Sequence, residues 1–258
     1  IPLSWTVVFA ILSILFFLAS LYHAWALPRP ASDRHAPDRT VGGILRESLL
    51  TFRSFFMKKN IVPALLFMLL FRLPEAQLVK IINPFLLDPI AKGGLGLSTS
   101  TVGIVYGTVG IIGLTLGGIL GGIAASQGGL KRWLWPMVCA ITLPDLVYVY
   151  LAYTQDSALW IVNTCVFIEQ FGYGFGFTAY MLYLIYFSEG EHSTSHYAIS
   201  TGFMALGMML PGMMAGWLQE LIGYRHFFLW TILCCAATFV VCLFIKIDPE
   251  FGKKKQQG

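Results

Sequence analysis

Seven long apolar runs constrain the fold of this chain more than any other feature. A hydrocarbon core of about 30 Å takes about 20 apolar residues per helix, and each run reaches or nearly reaches that length. The links between the runs are mostly short. The runs are Trp5–Leu27, Ile61–Ile82, Thr101–Ala125, Leu134–Tyr153, Leu159–Phe187, Tyr197–Leu218 and Phe227–Ile247. The sequence therefore predicts an all-α, polytopic transmembrane helix bundle.

The composition supports an integral membrane protein. Hydrophobic residues make up 57% of the chain and charged residues 12%, and the mean hydropathy is +0.72. This balance is far from that of soluble globular domains. No link between the runs is long enough to form a soluble domain with its own core, so most classes of soluble enzyme are excluded.

No motif for catalysis or cofactor binding is visible. The sequence contains no nucleophile elbow, phosphate-binding loop, dinucleotide fingerprint or zinc spacing, and the 5 cysteines all lie within the runs. The segment EGEHSTSH places His192 and His196 four residues apart, but it lacks the glutamate of the zinc-protease pattern. We therefore predict no metal, no cofactor and no enzymatic activity, and we interpret this segment as a solvated loop leading into a helix.

The distribution of basic residues predicts the orientation of the bundle. If the segment after the first run is cytoplasmic, only Lys92 and Arg225 lie on the opposite side, while Arg72 and Lys80 lie within a run. Such a bias follows the positive-inside rule and places the C-terminus in the cytoplasm. It also explains the net charge of +4 without any affinity for nucleic acid. The thirteen predicted cytoplasmic cations are Arg29, Arg34, Arg39, Arg46, Arg53, Lys58, Lys59, Lys131, Arg132, Lys246, Lys253, Lys254 and Lys255.

One long connection, residues 28–60, divides the chain unevenly. Its first part, PRPASDRHAPDR, is rich in proline and charge and is predicted to be irregular. In its second part Leu45, Leu49 and Phe52 recur at helical spacing, with basic residues elsewhere. This pattern predicts an amphipathic helix, either lying on the cytoplasmic membrane surface or packed on the bundle as a connector.

The second run carries charged side chains at membrane depth. At 100° per residue, Arg72, Glu75, Lys80 and Asn83 share a stripe of about 140° on one helix face. Arg72 and Glu75, three residues apart, could form an ion pair that lowers the cost of burying both. Lys80 and Asn83 lie near the end of the run, where side chains can also reach the interface. We predict that this stripe lines a solute path.

A second polar stripe lies in the fifth run. It comprises Glu169 and its neighbour Gln170, followed by Tyr173 and Tyr180. An acid above tyrosines suits a sugar-like or peptide-like solute, although tyrosines near the ends of runs often serve only as interfacial anchors. Asp145 is a further acid within the fourth run. Desolvated acids in lipid are candidate proton carriers, so we predict that Glu169 or Asp145 exchanges a proton.

Glycines at helical spacing dominate the third run. Gly103, Gly107, Gly110, Gly117 and Gly121 are predicted to share one helix face. Small residues at such spacing let another helix approach closely, which is how membrane helices pack in lipid. We therefore predict that this face is buried against a neighbouring helix.

Four segments together resemble the C-terminal half of a major facilitator superfamily transporter, preceded by the last helix of the N-terminal half. A long basic loop precedes six runs, and GGIAASQGGLKR is placed like the conserved loop motif, although Ala125 stands where that motif usually has Asp. PGMMAGWLQELIGYRHFF is similar to the eleventh helix and the turn after it. The stretch from LFRLPEAQ to VYGTVG resembles the helix-seven region of AmpG-type muropeptide permeases and the related acetyl-CoA transporters.

The resemblance implies a division of the chain and a function. Residues 1–27 would be the last helix of the N-terminal half, 28–60 a cytoplasmic linker, 61–247 the six-helix C-terminal bundle and 248–258 a cytoplasmic tail. Such transporters bind a solute between two pseudo-symmetric halves. The implied function is secondary transport of a small polar solute, a muropeptide or saccharide, across a bacterial inner membrane. The expected partners are protons as coupling ion, the lipid bilayer and the N-terminal half; the alternative is a membrane-embedded scaffold without transport.

Overall fold

The computed structural model describes residues 2–27 and 40–254, and these residues are almost entirely helical, with no β-strand among them. The chain divides into two compact units at Ser48 and Leu49. The Pro-rich part of the predicted linker, together with Arg29, Arg34, Arg39 and Lys255, lies outside the described residues. The prediction of an all-α bundle is confirmed.

The first unit contains the helix α1, Pro2–Ala26, followed after a gap by the start of α2, Val41–Phe56. The second unit contains the rest of α2 and the bundle. Its helices are α3 (Ile61–Leu70), α4 (Leu73–Leu87), α5 (Thr99–Ile104), α6 (Ile111–Gly128), α7 (Leu130–Thr142), α8 (Leu146–Thr154), α9 (Leu159–Ser188) and α10 (Ser193–Phe244).

Within the described parts of the chain, four helical segments are apolar and long enough to cross a membrane: Leu3–Ala26, Thr99–Gly128, Leu130–Thr154 and Ser193–Phe244. The last is 52 residues long and contains both of the final two predicted spans. Its continuity is broken at Gly223, whose φ of 74° and ψ of 166° are not helical. A side chain would strain this backbone conformation, which glycine adopts readily, so α10 consists of two helices that meet there.

The second predicted span is not one continuous helix. It is broken at Phe71 and Arg72, between α3 and α4. Pro74 is the second residue of α4, and its ring has no N–H to continue the hydrogen-bond ladder of α3. Side chains from other helices satisfy carbonyls near the break: the Tyr180 hydroxyl donates to the Met68 carbonyl at 2.6 Å and Thr238 donates to the Phe71 carbonyl at 2.9 Å. Irregular backbone at membrane depth is tolerated when it is buried and bonded in this way.

The third predicted span contains a π-helical segment, Val105–Gly110, between α5 and α6. A π-turn has more residues than an α-turn and rotates the residues before it relative to those after it. The single glycine face predicted from uniform helical spacing is therefore wrong at its N-terminal end. No atom lies within 4 Å of a Cβ built on Gly103 or Gly107.

The glycine contact that does form joins α6 to α9. A Cβ on Gly113 would lie 2.9 Å from the Phe167 carbonyl oxygen, and a Cβ on Gly117 would overlap the Phe171 carbonyl. A Cβ on Gly121 would lie 2.9 Å from the Phe175 carbonyl oxygen. The backbones of the two helices thus touch at three positions spaced four residues apart, as small residues permit in membrane bundles.

The C-terminal tail is bound to the turn between α6 and α7. The Leu130 amide donates to the Phe251 carbonyl at 3.0 Å, and the Lys254 amide donates to the Ser126 carbonyl at 2.8 Å. Gly129 in this turn has a φ of 78° and lies against the tail backbone. The basic turn of the loop motif is therefore covered by the tail.

Buried apolar residues of the second unit form two separate clusters. One includes Phe67, Leu134 and Val241, and the other includes Phe85, Tyr148 and Phe228. Along four helical segments, buried polar residues lie between members of the two clusters. These residues are Arg72, Glu75 and Gln77 in the α3–α4 segment, Thr142 and Asp145 in the α7–α8 segment, Glu169 in α9, and Thr231 and Thr238 in α10. The bundle thus holds a polar layer at mid-depth.

Candidate polar site in the bundle interior

Arg72 is the one cation in the polar layer among the described residues, and 8% of it is exposed. Its Nη2 donates to the Tyr173 hydroxyl at 2.6 Å. The guanidinium also lies 4.6 Å from the Phe177 ring centroid and 5.5 Å from that of Tyr173, as cation–π contacts require. Within the described part of the chain, nothing accepts a hydrogen bond from its buried Nε. The guanidinium therefore retains capacity for a further hydrogen-bond acceptor.

The predicted ion pair between Arg72 and Glu75 does not form. The only salt bridge among residues 2–27 and 40–254 joins Lys253 to Glu250, at 2.6 Å. Arg72 has φ of −101° and ψ of 18° at the break, outside the helical register of α4. Because the three-residue spacing assumes a continuous helix, the break removes the basis of the prediction, and the guanidinium reaches α9 instead.

Three carboxyl groups from three helical segments share the polar layer. Glu75 is 6% exposed, and Asp145 and Glu169 are each 2% exposed. They are close enough to act on one another electrostatically. Asp145 accepts a weak hydrogen bond from the Cys235 thiol at 3.8 Å. Like charges in an apolar interior are costly, so an arrangement of three acids favours states in which protons are shared among them.

Glu169 is the best-bonded of these acids. The Gln170 amide donates to its Oε1 at 3.2 Å and to its Oε2 at 3.0 Å, and the Tyr148 hydroxyl donates to Oε2 at 2.9 Å. Tyr148 is in turn hydrogen-bonded to the Tyr106 hydroxyl. Sequence reasoning missed both Tyr106 and Tyr148, because they meet Glu169 only through the packing of three segments.

The remaining predicted site residues differ in their exposure and contacts. Lys80 and Asn83 are exposed on α4, and the aliphatic part of Lys80 lies close to Gly212. Tyr180 is fully buried, and its hydroxyl is committed to the Met68 carbonyl beside the helix break. Tyr180 therefore supports the position of Arg72, whereas Tyr173 contacts Arg72 directly.

The EGEHSTSH segment is a short exposed loop, Glu189–His192, that leads into a helix as predicted, but the helix takes up its second half. Helix α10 already begins at Ser193, and His196 is 4% exposed, with its Nε2 2.9 Å from the Ser54 hydroxyl. The ring centroids of His192 and His196 are 6.0 Å apart. Among the described residues, no group of three or more His, Cys, Asp or Glu side chains could hold a metal ion.

A polytopic helical bundle with a buried cation, three buried acids and a broken helix at mid-depth has the organisation of a membrane transporter. The Major Facilitator Superfamily model matches residues 2–211 of the chain. The chain belongs to this superfamily.

Curated relatives match at low identity. The anhydromuropeptide permease of Escherichia coli K12 is 26% identical over 201 residues, which cover 78% of this chain and 40% of the relative. A Rickettsia conorii protein named "Putative transporter AmpG 4" is 23% identical over 244 residues, which cover 94% of this chain and 57% of the relative. The chain thus spans about half the length of these relatives. The similarity extends to the AmpG-type proteins that the sequence resembles.

Proposed function

We propose that this chain is part of a secondary transporter that moves a polar organic solute across a bacterial inner membrane by alternating access. A muropeptide is the proposed solute, with a saccharide as a second candidate. The observation that carries the proposal is Arg72, a buried guanidinium that forms no salt bridge among the described residues and is held against Tyr173 and Phe177 at a helix break. An anionic group on the solute would complete its interactions, as charge-assisted hydrogen bonds favour.

The proposal includes coupling to protons. Glu75, Asp145 and Glu169 interact electrostatically within one apolar interior. Because such acids share protons, a change in their protonation is coupled to a change in the conformation of the bundle. Arg72, Glu75, Gln170 and Tyr173 would face the solute, and Glu169 or Asp145 would exchange the proton. Lys80 and Asn83 would lie at the edge of the path.

We also propose how the chain divides between the two halves of the transporter. Residues 61–247 would form the C-terminal half of the transporter, and residues 1–27 would form the last helix of the N-terminal half. The linker at 28–60 and the tail at 248–258 would be cytoplasmic. The polar layer at mid-depth matches the depth at which such transporters bind solute between their halves.

Uptake by the full-length protein in proteoliposomes tests the proposal. With an imposed inward proton gradient, we expect accumulation of radiolabelled anhydromuropeptide, and we expect collapse of the gradient by a protonophore to abolish accumulation. A labelled disaccharide tests the second candidate. Absence of uptake of both probes by folded protein would favour the membrane scaffold instead.

A further inference from the structure

We infer that Tyr106 and Tyr148 form a proton path that connects Glu169 to the end of the bundle opposite the predicted cytoplasmic face. This inference rests on the proposed proton coupling. It extends that proposal by naming the residues that position the proton on its way to Glu169. Its basis is a continuous chain of hydrogen bonds from the π-helical segment, through α8, to the acid on α9.

The direction of the hydrogen bonds follows from the number of protons available. A tyrosine hydroxyl has one proton, and that of Tyr148 is donated to Glu169 Oε2 at 2.9 Å. In its bond with Tyr106, the Tyr148 oxygen must therefore accept. Tyr106 therefore donates to Tyr148, and Tyr148 donates to the Glu169 carboxylate, so both hydrogen bonds are aligned for transfer toward the carboxylate.

Only the Tyr106 end of this chain of hydrogen bonds is partly exposed. Tyr148 is fully buried and Glu169 is 2% exposed, whereas Tyr106 is partly exposed. Tyr106 therefore lies at the outer end of the chain. Its position depends on the π-helical turn of Val105–Gly110, a feature that is frequently found at functional sites.

The end of the bundle that this path reaches is defined by two loops. The Gln155 side chain donates to the Ile90 carbonyl at 3.1 Å and so joins the loop after α8 to the loop after α4. Tyr106 lies in the second turn after Thr99, and Tyr148 lies in the first turn of α8, whose end leads to this same loop. The predicted orientation places both loops on the side opposite the cytoplasm.

The transfer needs only an aqueous hydronium ion as the source of the proton. That ion gives a proton to the Tyr106 oxygen and leaves as water, while Tyr106 passes its own proton to Tyr148. Tyr148 passes its proton to Glu169 Oε2, which becomes a carboxylic acid, and both tyrosines end neutral. The other titratable groups that act on Glu169 are Glu75 on α4 and, through its effect on the same cluster, Asp145 in the turn before α8.

A pH jump on the full-length protein in lipid nanodiscs tests the path with protons as the probe. Time-resolved infrared spectroscopy follows the carboxylic-acid band after rapid acidification, and Glu169→Gln assigns the band. We expect Tyr148→Phe and Tyr106→Phe each to slow its appearance by about a hundredfold, in the range of a lost positioned proton donor. Tyr150→Phe, on the exposed face of the same helix, is the control and should leave the rate unchanged.

Two outcomes would overturn the inference: protonation as fast in both tyrosine variants as in wild type, or no band that depends on Glu169. Tyr106→Phe keeps the test valid if the fully buried Tyr148→Phe variant misfolds. Because the measurement needs no solute, its failure is distinct from that of the transport proposal, which rests on uptake by the wild-type protein.

Discussion

The hydroxyl of Tyr173 accepts a hydrogen bond of 2.6 Å from the guanidinium of Arg72, across the interface between the α3–α4 break and α9. This contact fixes a cation at the depth where the two apolar clusters separate. A hydrogen bond to a charged group typically contributes about 1.5–3 kcal/mol net. The orientation of Arg72 therefore depends on a tyrosine from another helix rather than on a neighbouring acid.

Tyr173→Phe should weaken transport by the full-length protein. The variant keeps the aromatic ring but lacks the hydroxyl that accepts the hydrogen bond from Arg72. The orientation of the guanidinium is then no longer fixed by that bond. We expect the apparent affinity for labelled anhydromuropeptide to fall by about tenfold, which corresponds to a loss of about 1.4 kcal/mol. Concentration-dependent initial rates of uptake in proteoliposomes measure this change.

Tyr183→Phe is the matched control for that variant. Tyr183 is buried in the same helix, and no hydrogen bond of its hydroxyl is present within the described residues. It should behave like wild type. Equal rates for Tyr173→Phe and wild type would show that the contact with Arg72 is dispensable for uptake.

Gly117→Ala should destabilise the bundle. Its new methyl group would overlap the Phe171 carbonyl on α9, and overpacking of this kind costs about 1–3 kcal/mol. Gly122→Ala, in the same helix, has no atom within 4 Å of the added Cβ and should be neutral or slightly stabilising because alanine favours helix. Unfolding by SDS in mixed micelles gives both free energies, and equal values would contradict the α6–α9 contact.

Lys58 is predicted to stabilise the end of α9. Its ammonium donates to the Phe187 carbonyl and, at 2.8 Å, to the Glu189 carbonyl, where a positive charge also complements the helix dipole. We expect Lys58→Met to lower the free energy of unfolding by about 1 kcal/mol. Lys59→Met removes an exposed neighbouring charge. This control variant should change the free energy of unfolding by less than about 0.5 kcal/mol.

The contribution of Lys58 should also depend on pH. Burial lowers the pKa of Lys58 from its usual 10.5, against a smaller opposing effect of Glu189. Between the lowered pKa and 10.5 the unfolded chain binds more protons than the folded one, so this residue adds stability as the pH rises. The difference in free energy of unfolding between wild type and Lys58→Met should widen over that range; a difference that narrows would contradict the assignment.

The predicted orientation can be tested with two single cysteines in a cysteine-free background. Ser157 and Glu191 are both exposed, in loops before and after α9. In intact cells an impermeant maleimide should label Ser157→Cys and not Glu191→Cys, because the basic residues place the second loop in the cytoplasm. The reverse pattern would invert the topology.

The sequence predicted the class of fold and the depth of the acids from hydrophobic length alone. Glu75, Asp145 and Glu169 are buried in one polar layer, as charged residues in the middle of apolar runs should be. The four described segments that are long and apolar enough to cross a membrane also lie on predicted runs of about 20 apolar residues. Each of these inferences uses only the local sequence and the thickness of the membrane.

Two features that sequence reasoning missed depend on departures from a regular helix. The break before Pro74 moved Arg72 away from Glu75, and the π-helical turn at Val105–Gly110 moved Gly103 and Gly107 off the contact with α9. Pro74 was a visible signal for the first departure. The second had no such signal, and the bond between Tyr148 and Glu169 joins residues of different helices that no periodicity relates.

The central claim is that Arg72 is retained for the solute rather than for the fold, and the uptake of a double variant tests it most directly. Arg72→Leu should reduce uptake of labelled anhydromuropeptide to background while the amount of full-length protein in the membrane stays near that of wild type. Arg72→Leu combined with Glu75→Leu removes both buried charges, which relieves any cost of an unpaired acid, and should remain inactive. A double variant that is expressed and transports like wild type would contradict the account, because neither charge would then serve the solute.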